Sequence, residues 1–270
     1  MQNSKQTLEQ KIRERIKDFC LMDDEFMTVF FDDEPECTAF VLRIILEKPD
    51  LLVTEVHSQR NAPNLHERSG RLDIKATDSC GRLYDIEIQR ADKGVGAKRA
   101  RFNSALLDTR TLQPGEDTEY LPETYIIFIT ENDVLGAGKA VYHIDRTVAE
   151  TGKPFGDMAH IVYVNNQYRE NDSVGNLMHD FACRKAEDMK NSVLASRARL
   201  IKTDEDKEKR MSYIMEELVK EAQVDTQIET AVKMLADGKI SESDLTNYFS
   251  LNSEQKEYVI KQVAQRELVQ

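Results

Sequence analysis

The stretch "RLDIKATDSCGRLYDIEIQ", Arg71 to Gln89, alternates apolar and polar residues twice in succession. In the first run Leu72, Ile74 and Ala76 are apolar, while Arg71, Asp73, Lys75 and Thr77 are polar. In the second, Tyr84, Ile86 and Ile88 are apolar, while Asp85, Glu87 and Gln89 are polar. A period of two marks a strand with unlike faces, so the segment predicts a β-hairpin. Both polar sets carry odd numbers, so facing residues must have numbers with an even sum. A three-residue loop, Ser79-Cys80-Gly81, meets that condition and puts Gly81 at the left-handed position such loops require. The register then pairs Asp78 with Arg82, Lys75 with Asp85, Asp73 with Glu87 and Arg71 with Gln89. The first two pairs join opposite charges. The third sets two carboxylates side by side, where like charges repel.

The flanking segments set the fold class. Apolar residues at Leu8, Ile12, Ile16 and Phe19 predict a first helix. A second follows Pro35, with Cys37, Phe40, Val41, Ile44 and Ile45 as its apolar face and Pro49 just beyond its end. "LLVTEVHSQ" (Leu51 to Gln59) predicts a strand, and "GAKRARFNSALLDTRTL" a helix packing through Ala97, Ala100, Ala105 and Leu106. "ETYIIFIT" (Glu123 to Thr130) is almost wholly apolar, as a central strand covered on both faces must be. Shorter strands are expected at Ala140 to Ile144 and His160 to Asn165. Helix, three strands, helix, strand is an α/β domain built on a mixed sheet.

The α/β core is expected to be complete by about Cys183, after which no strand pattern remains, only charged helical sequence such as "TDEDKEKRMSYIMEELVKEA". Ile214, Leu218 and Ala222 form one sparse stripe and Ile228, Val232 and Leu235 another, ended by Gly238. "SESD" and "NSEQ" are N-cap signals for two short final helices. The expected organisation is an α/β domain over residues 1–200 and a helical C-terminal extension over 201–270. That extension suits either an arm joining copies of the chain into a homo-oligomer or helices packed back on their own domain.

Two readings of the Asp73–Glu87 pair stand side by side. In one, the polar face of the hairpin lies in water and tolerates the repulsion at roughly 0.2–1 kcal/mol. In the other, the carboxylates hold a hard divalent cation such as Mg²⁺, which prefers one or two carboxylates with water and phosphate oxygens. Gln89, on the same face, could then orient a water. From Arg90 to Arg110 there are six basic and two acidic residues, a local net of +4 in a chain of net charge -12. Carboxylates for a metal beside cations for phosphate is what phosphodiester hydrolysis needs. The overall acidity argues against a chain that is basic all over and binds nucleic acid through its whole surface. Cys20, Cys37, Cys80 and Cys183 are far apart and form no C-x-x-C pair, which argues against a structural zinc site and fits reduced thiols in a cytoplasmic protein. No apolar run approaches the ~20 residues that span a bilayer, so no membrane is expected as a partner. The five histidines show no close ligand spacing, so no His-based site is expected, and Tyr125, Phe128 and Tyr163 are expected in the core.

Asp73 followed by Glu87-Ile88-Gln89 on a hairpin between helices resembles the PD-(D/E)XK nuclease superfamily, in its transposase-like branch of recombination-promoting nucleases (the Rpn family). The likeness extends through "DDEFMTVFF", "ECTAFVLRIILEKPDL", the hairpin and the helix after it, "LPETYIIFITENDVLGAG" and "GNLMHDFAC", roughly Met22 to Cys183. The resemblance implies a restriction-endonuclease-like mixed sheet flanked by helices, with Asp73, Glu87 and the Ile88 carbonyl as ligands of Mg²⁺ or Mn²⁺. It implies catalytic roles for Asp73, Glu87 and Gln89, and DNA as the partner. The superfamily's usual lysine falls at Gln89, where this branch commonly shows glutamine. A neutral amide cannot stabilise developing negative charge as an ammonium does. Lys98 or Lys75 could take that task, although Lys75 is more simply the partner of Asp85. Glu36 is a weak candidate for a third acid, and an acid opening a helix complements the dipole in any case. Lys98, Arg99 and Arg101 are the candidate phosphate contacts. The expected activity is Mg²⁺-dependent endonucleolytic cleavage of DNA, of transposase or recombination-promoting type. The alternative is a catalytically silent, transposase-derived DNA-binding or assembly protein.

Overall fold

The computed structural model describes residues 16–58, 74–90, 95–112, 115–203, 224, 226–249 and 251–267. Most of the first predicted helix lies outside these residues, as do Arg71, Asp73, Lys93, Ile214, Leu218 and Ala222. The chain divides into two compact units, one containing described residues 16–203 and the other 224–267.

The first unit is built on a six-stranded mixed sheet. Its strands are β1 (Val53–Ser58), β2 (Ile74–Asp78), β3 (Leu83–Gln89), β4 (Thr124–Thr130), β5 (Val141–Ile144) and β6 (Ala159–Asn165), in spatial order β1-β2-β3-β4-β6-β5. β1, β2 and β3 are antiparallel neighbours, β3–β4 and β4–β6 run parallel, and β5 returns antiparallel along β6. The hairpin register follows the sequence reading: Lys75 faces Asp85, Ala76 faces Tyr84 and Ile74 faces Ile86. Gly81 turns the loop at φ 78°, and its N–H donates to the Asp78 carbonyl at 3.0 Å. β4 is buried at every residue, as its apolar sequence requires.

Helices cover both faces. α1 (Asp24–Phe31) and α2 (Pro35–Ile45) lie against β1 and each other. α4 (Ser173–Ala182) contacts α2, while α5 (Ser192–Thr203) contacts α1 and α2. α3 (Ala97–Thr111) covers the opposite side, where Val95, Ala100 and Leu107 pack on Ile126, Phe128 and Tyr163. Tyr125, Phe128 and Tyr163 are core residues, as expected. Four expectations need correction. α1 was not anticipated, because six of its eight residues are buried and no polar face marks its period. Within α2, Phe40 and Ile44 are only half-buried, and Thr38, Ala39 and Leu42 join the core instead. Ala105 on α3 is exposed, whereas Asn103 and Ser104 face inward. The α/β core is also not complete at Cys183. α5 buries Leu194, Ala195, Ala198 and Ile201, and Arg197 donates to the Val29 and Phe30 carbonyls that end α1.

The second unit has a small core of its own. Helical residues 226–236 (α6), α7 (Asp244–Phe249) and α8 (Ser253–Glu267) enclose Ile228, Ala231, Val232, Leu245, Val259 and Val263. The stripe of Ile228, Val232 and Leu235 is therefore met by the two final helices. Gly238, at φ 66°, ends α6 with its N–H on Leu235 O and the following Lys239 N–H on Met234 O, a paired C-terminal motif. Both N-cap signals act. The Ser241 N–H and hydroxyl donate to Asp244, while Asn252 and Gln255 exchange backbone-to-side-chain bonds at 2.9 Å each.

Candidate active site

β3 is a central strand with a helix layer on either side, so its alternation does not separate core from water. Tyr84, Ile86 and Ile88 face one layer. Leu83, Asp85, Glu87 and Gln89 face the side that α3 covers, since Leu83 packs in the cluster of Val95, Ala100 and Phe128. Asp85 and Glu87 are both fully buried, and Gln89 is half-buried at the strand end. The solvated-face reading fails at Glu87 for this reason. A buried carboxylate is costly unless a partner meets it.

The partner of Glu87 comes from the first turn of α3. Arg99 Nη2 donates to Glu87 Oε2 at 3.0 Å, and 39% of the arginine side chain remains accessible. The crossover from β3 to parallel β4 makes this contact: the chain leaves the sheet after Arg90 and returns along α3 over the strand it has left. Gly96 opens α3 without a side-chain cap, and no acidic residue lies in the first turn. The helix dipole therefore adds to the positive character near Glu87. Arg90 is turned elsewhere, with Nη1 2.9 Å from Asp23 Oδ1 ahead of α1.

The predicted site residues divide by place. Glu87 and Arg99 are together. Ile88 lies opposite Ile129 and Gln89 opposite Thr130 in the ladder with β4. Lys98 and Arg101 flank Arg99 in sequence but are exposed on the outer side of α3. Lys75 is half-buried opposite Asp85. Glu36 is exposed in the first turn of α2, just after the Pro35 that opens it. Asp73 lies outside the described residues. The Glu87–Arg99 contact was not anticipated from sequence. Arg99 is twelve residues after Glu87, and nothing local distinguishes it from Lys98 or Arg101.

For a cation, the Glu87 carboxylate, the Gln89 amide oxygen and main-chain carbonyls offer hard oxygen donors. That donor set fits Mg²⁺ or Mn²⁺ rather than a thiophilic metal. The site thus lies on a central strand of a mixed six-stranded sheet, under the helix that crosses over to the next strand. Residues 42–250 match the family described as PD-(D/E)XK nuclease family transposase, and the chain belongs to that family. No curated protein and no solved structure matches it. Membership gives a nuclease-like, transposase-type function in general terms. Among the described residues, no helix is long and apolar enough to cross a membrane.

Proposed function

We propose that this chain is a divalent-metal-dependent DNA endonuclease whose metal ligands are Asp73 and Glu87, with the Ile88 carbonyl beside them. The observation that carries the reading is Glu87, a carboxylate fully buried at the centre of the sheet and held by an arginine that is still partly accessible. The described hairpin keeps one register from Thr77–Leu83 to Ile74–Ile86. One further step of that register is the pairing we propose for Asp73 with Glu87. A bound Mg²⁺ or Mn²⁺ ion would lower the pKa of a coordinated water and neutralise charge on the scissile phosphate.

The chain's own groups do the rest. Gln89 orients the attacking water through its amide. Arg99 balances Glu87 and can turn its accessible face to a phosphate oxygen, a planar donor suited to that geometry. Lys98 and Arg101 hold the flanking backbone by charge. Plasmid DNA tests this reading. The wild type should nick supercoiled DNA with Mg²⁺, and Asp73→Asn and Glu87→Gln should each be at least about 100-fold slower, the scale of losing one electrostatic contributor at a transition state. Equal rates would remove these carboxylates from the mechanism. A second reading, a silent DNA-binding or assembly protein, is favoured by the neutral Gln89 and by Arg99 already engaging Glu87. It requires DNA binding with no cleavage in any divalent metal.

A further inference from the structure

The C-terminal end of α4 gathers a different set of ligating atoms. His179 lies in the last turn of α4 and Cys183 caps its C-terminal end, with Asp180 between them in sequence. His179 Nδ1 is 3.1 Å from Asp180 Oδ1 and 3.5 Å from Cys183 Sγ, and one ligand atom from each residue lies within 4.8 Å of the other two. Ligands bound tetrahedrally to one zinc-type ion at about 2.0–2.3 Å stand roughly 3.3–3.8 Å apart, so the two measured separations are close to what a shared ion needs.

The cluster is also held in place and open to solvent. Asp180 is fully buried, with its Oδ1 accepting from Lys190 N at 2.7 Å and its Oδ2 from Asn191 N and Nδ2 at 2.8 Å each. Such outer contacts fix the orientation of a metal-binding carboxylate. His179 is 34% accessible at its side chain and Cys183 is half-buried, which leaves a path for an ion.

We propose that His179 Nδ1, Asp180 Oδ1 and Cys183 Sγ form a binding site for a zinc-type divalent cation, with water in the fourth position. Nitrogen, sulfur and oxygen donors suit a borderline-soft ion and not Mg²⁺, so this site is chemically distinct from the one around Glu87 and does not depend on the nuclease reading. In the bound form the imidazole carries its single proton on Nε2, which leaves Nδ1 for the ion. The Cys183 thiol gives its proton to solvent, so one proton leaves per ion.

The test is titration of the full, untagged chain with Co²⁺. The wild type should develop a near-ultraviolet thiolate-to-cobalt charge-transfer band that Zn²⁺ removes. Cys183→Ser should lose the band. His179→Ala should weaken binding at least about tenfold, the lower end of what losing even an outer-shell partner costs. Cys20→Ser, Cys37→Ser and Cys80→Ser should keep the band. Zn²⁺ should raise the thermal midpoint of the wild type and leave that of Cys183→Ser unchanged, a second readout that also reports whether the variant is folded. Absence of the band in the wild type, or its persistence in Cys183→Ser, overturns the site. Mg²⁺-dependent cleavage, measured separately, keeps that failure apart from any failure of the nuclease assignment.

Discussion

The two ends of one hairpin bury a carboxylate in different ways. At the turn, Asp78 accepts from Cys80 N and Arg82 N at 2.9 Å each, from Arg82 Nε at 2.6 Å and from Tyr84 Oη at 2.8 Å. Every one of these donors lies within six residues. Deeper in the sheet, Glu87 meets Arg99, which reaches it only after the chain has left β3 and entered α3. The first arrangement is complete once the hairpin forms. The second exists only when the crossover has docked. A carboxylate ringed by local donors has little left to offer a ligand, whereas one balanced by a half-accessible arginine can exchange that partner for substrate or ion. The turn therefore serves folding, and the open end of the hairpin is where we propose that the chemistry takes place.

Opposite outcomes should follow from substituting the two acids. Glu87→Gln should abolish cleavage, by at least about 100-fold, while changing unfolding free energy by about 1 kcal/mol or less, because the shape is kept and a buried charge is removed. Asp78→Ala should do the reverse. It strands several donors and should cost about 2–4 kcal/mol in urea unfolding, with cleavage per folded molecule unchanged. If Asp78→Ala abolishes cleavage in folded protein, the division between the two ends is wrong.

The same contrast governs what could be read from sequence. Register, turn and the Asp78–Arg82 pair were legible because alternation and a single glycine fix them locally. The final helices were legible through their caps for the same reason. α1 was not, since a helix buried almost all round shows no period. Nor was the Glu87–Arg99 contact, which rests on where α3 lands. The His179–Cys183 spacing of four is legible in the sequence, but the return of Lys190 and Asn191 onto the Asp180 carboxylate is not.

Acid should expose the turn selectively. Burial alone would raise the pKa of Asp78, but the hydrogen bonds from Tyr84, Arg82 and Cys80 outweigh it and hold the carboxyl below its ordinary value of 3.8. A depressed folded pKa means that the stabilisation is fully present above the unfolded value and is lost as pH falls through the folded one. The thermal-midpoint gap between wild type and Asp78→Asn should therefore be constant above about pH 5 and narrow below about pH 4. A gap that persists unchanged to the lowest pH would assign the stabilisation to shape alone.

Three of the four cations of α3, namely Lys98, Arg99 and Arg101, sharpen the contrast further. Lys98→Ala with Arg101→Ala removes two exposed charges, so stability should stay within about 0.5 kcal/mol. The salt slope of DNA binding should fall by about two, one per lost phosphate contact. Arg99→Ala should additionally destabilise by about 1–3 kcal/mol, because Glu87 stays buried without this donor. A slope unchanged in the double variant would move the phosphate contacts off α3.

The smallest effect is expected from removing the second unit, and where the cut falls decides whether the experiment is fair. Lys202 Nζ donates to the carbonyls of Phe19 at 2.6 Å and Lys17 at 3.1 Å, and also to that of Arg184, so ending the chain at Lys202 would disturb the end of α5. A fragment of residues 1–212 keeps α5 whole. Because Ile228, Val232, Leu245, Val259 and Val263 pack on one another, their loss should leave the thermal midpoint of the first unit and its metal-dependent cleavage nearly unchanged. Light scattering of the fragment beside the full chain then asks what the second unit is for. A smaller particle than the mass difference explains makes these helices an assembly element. The simple mass difference makes the second unit an independent appendage. An unfolded or insoluble fragment would show that the first unit depends on the second, and would break the view that each buries its own core.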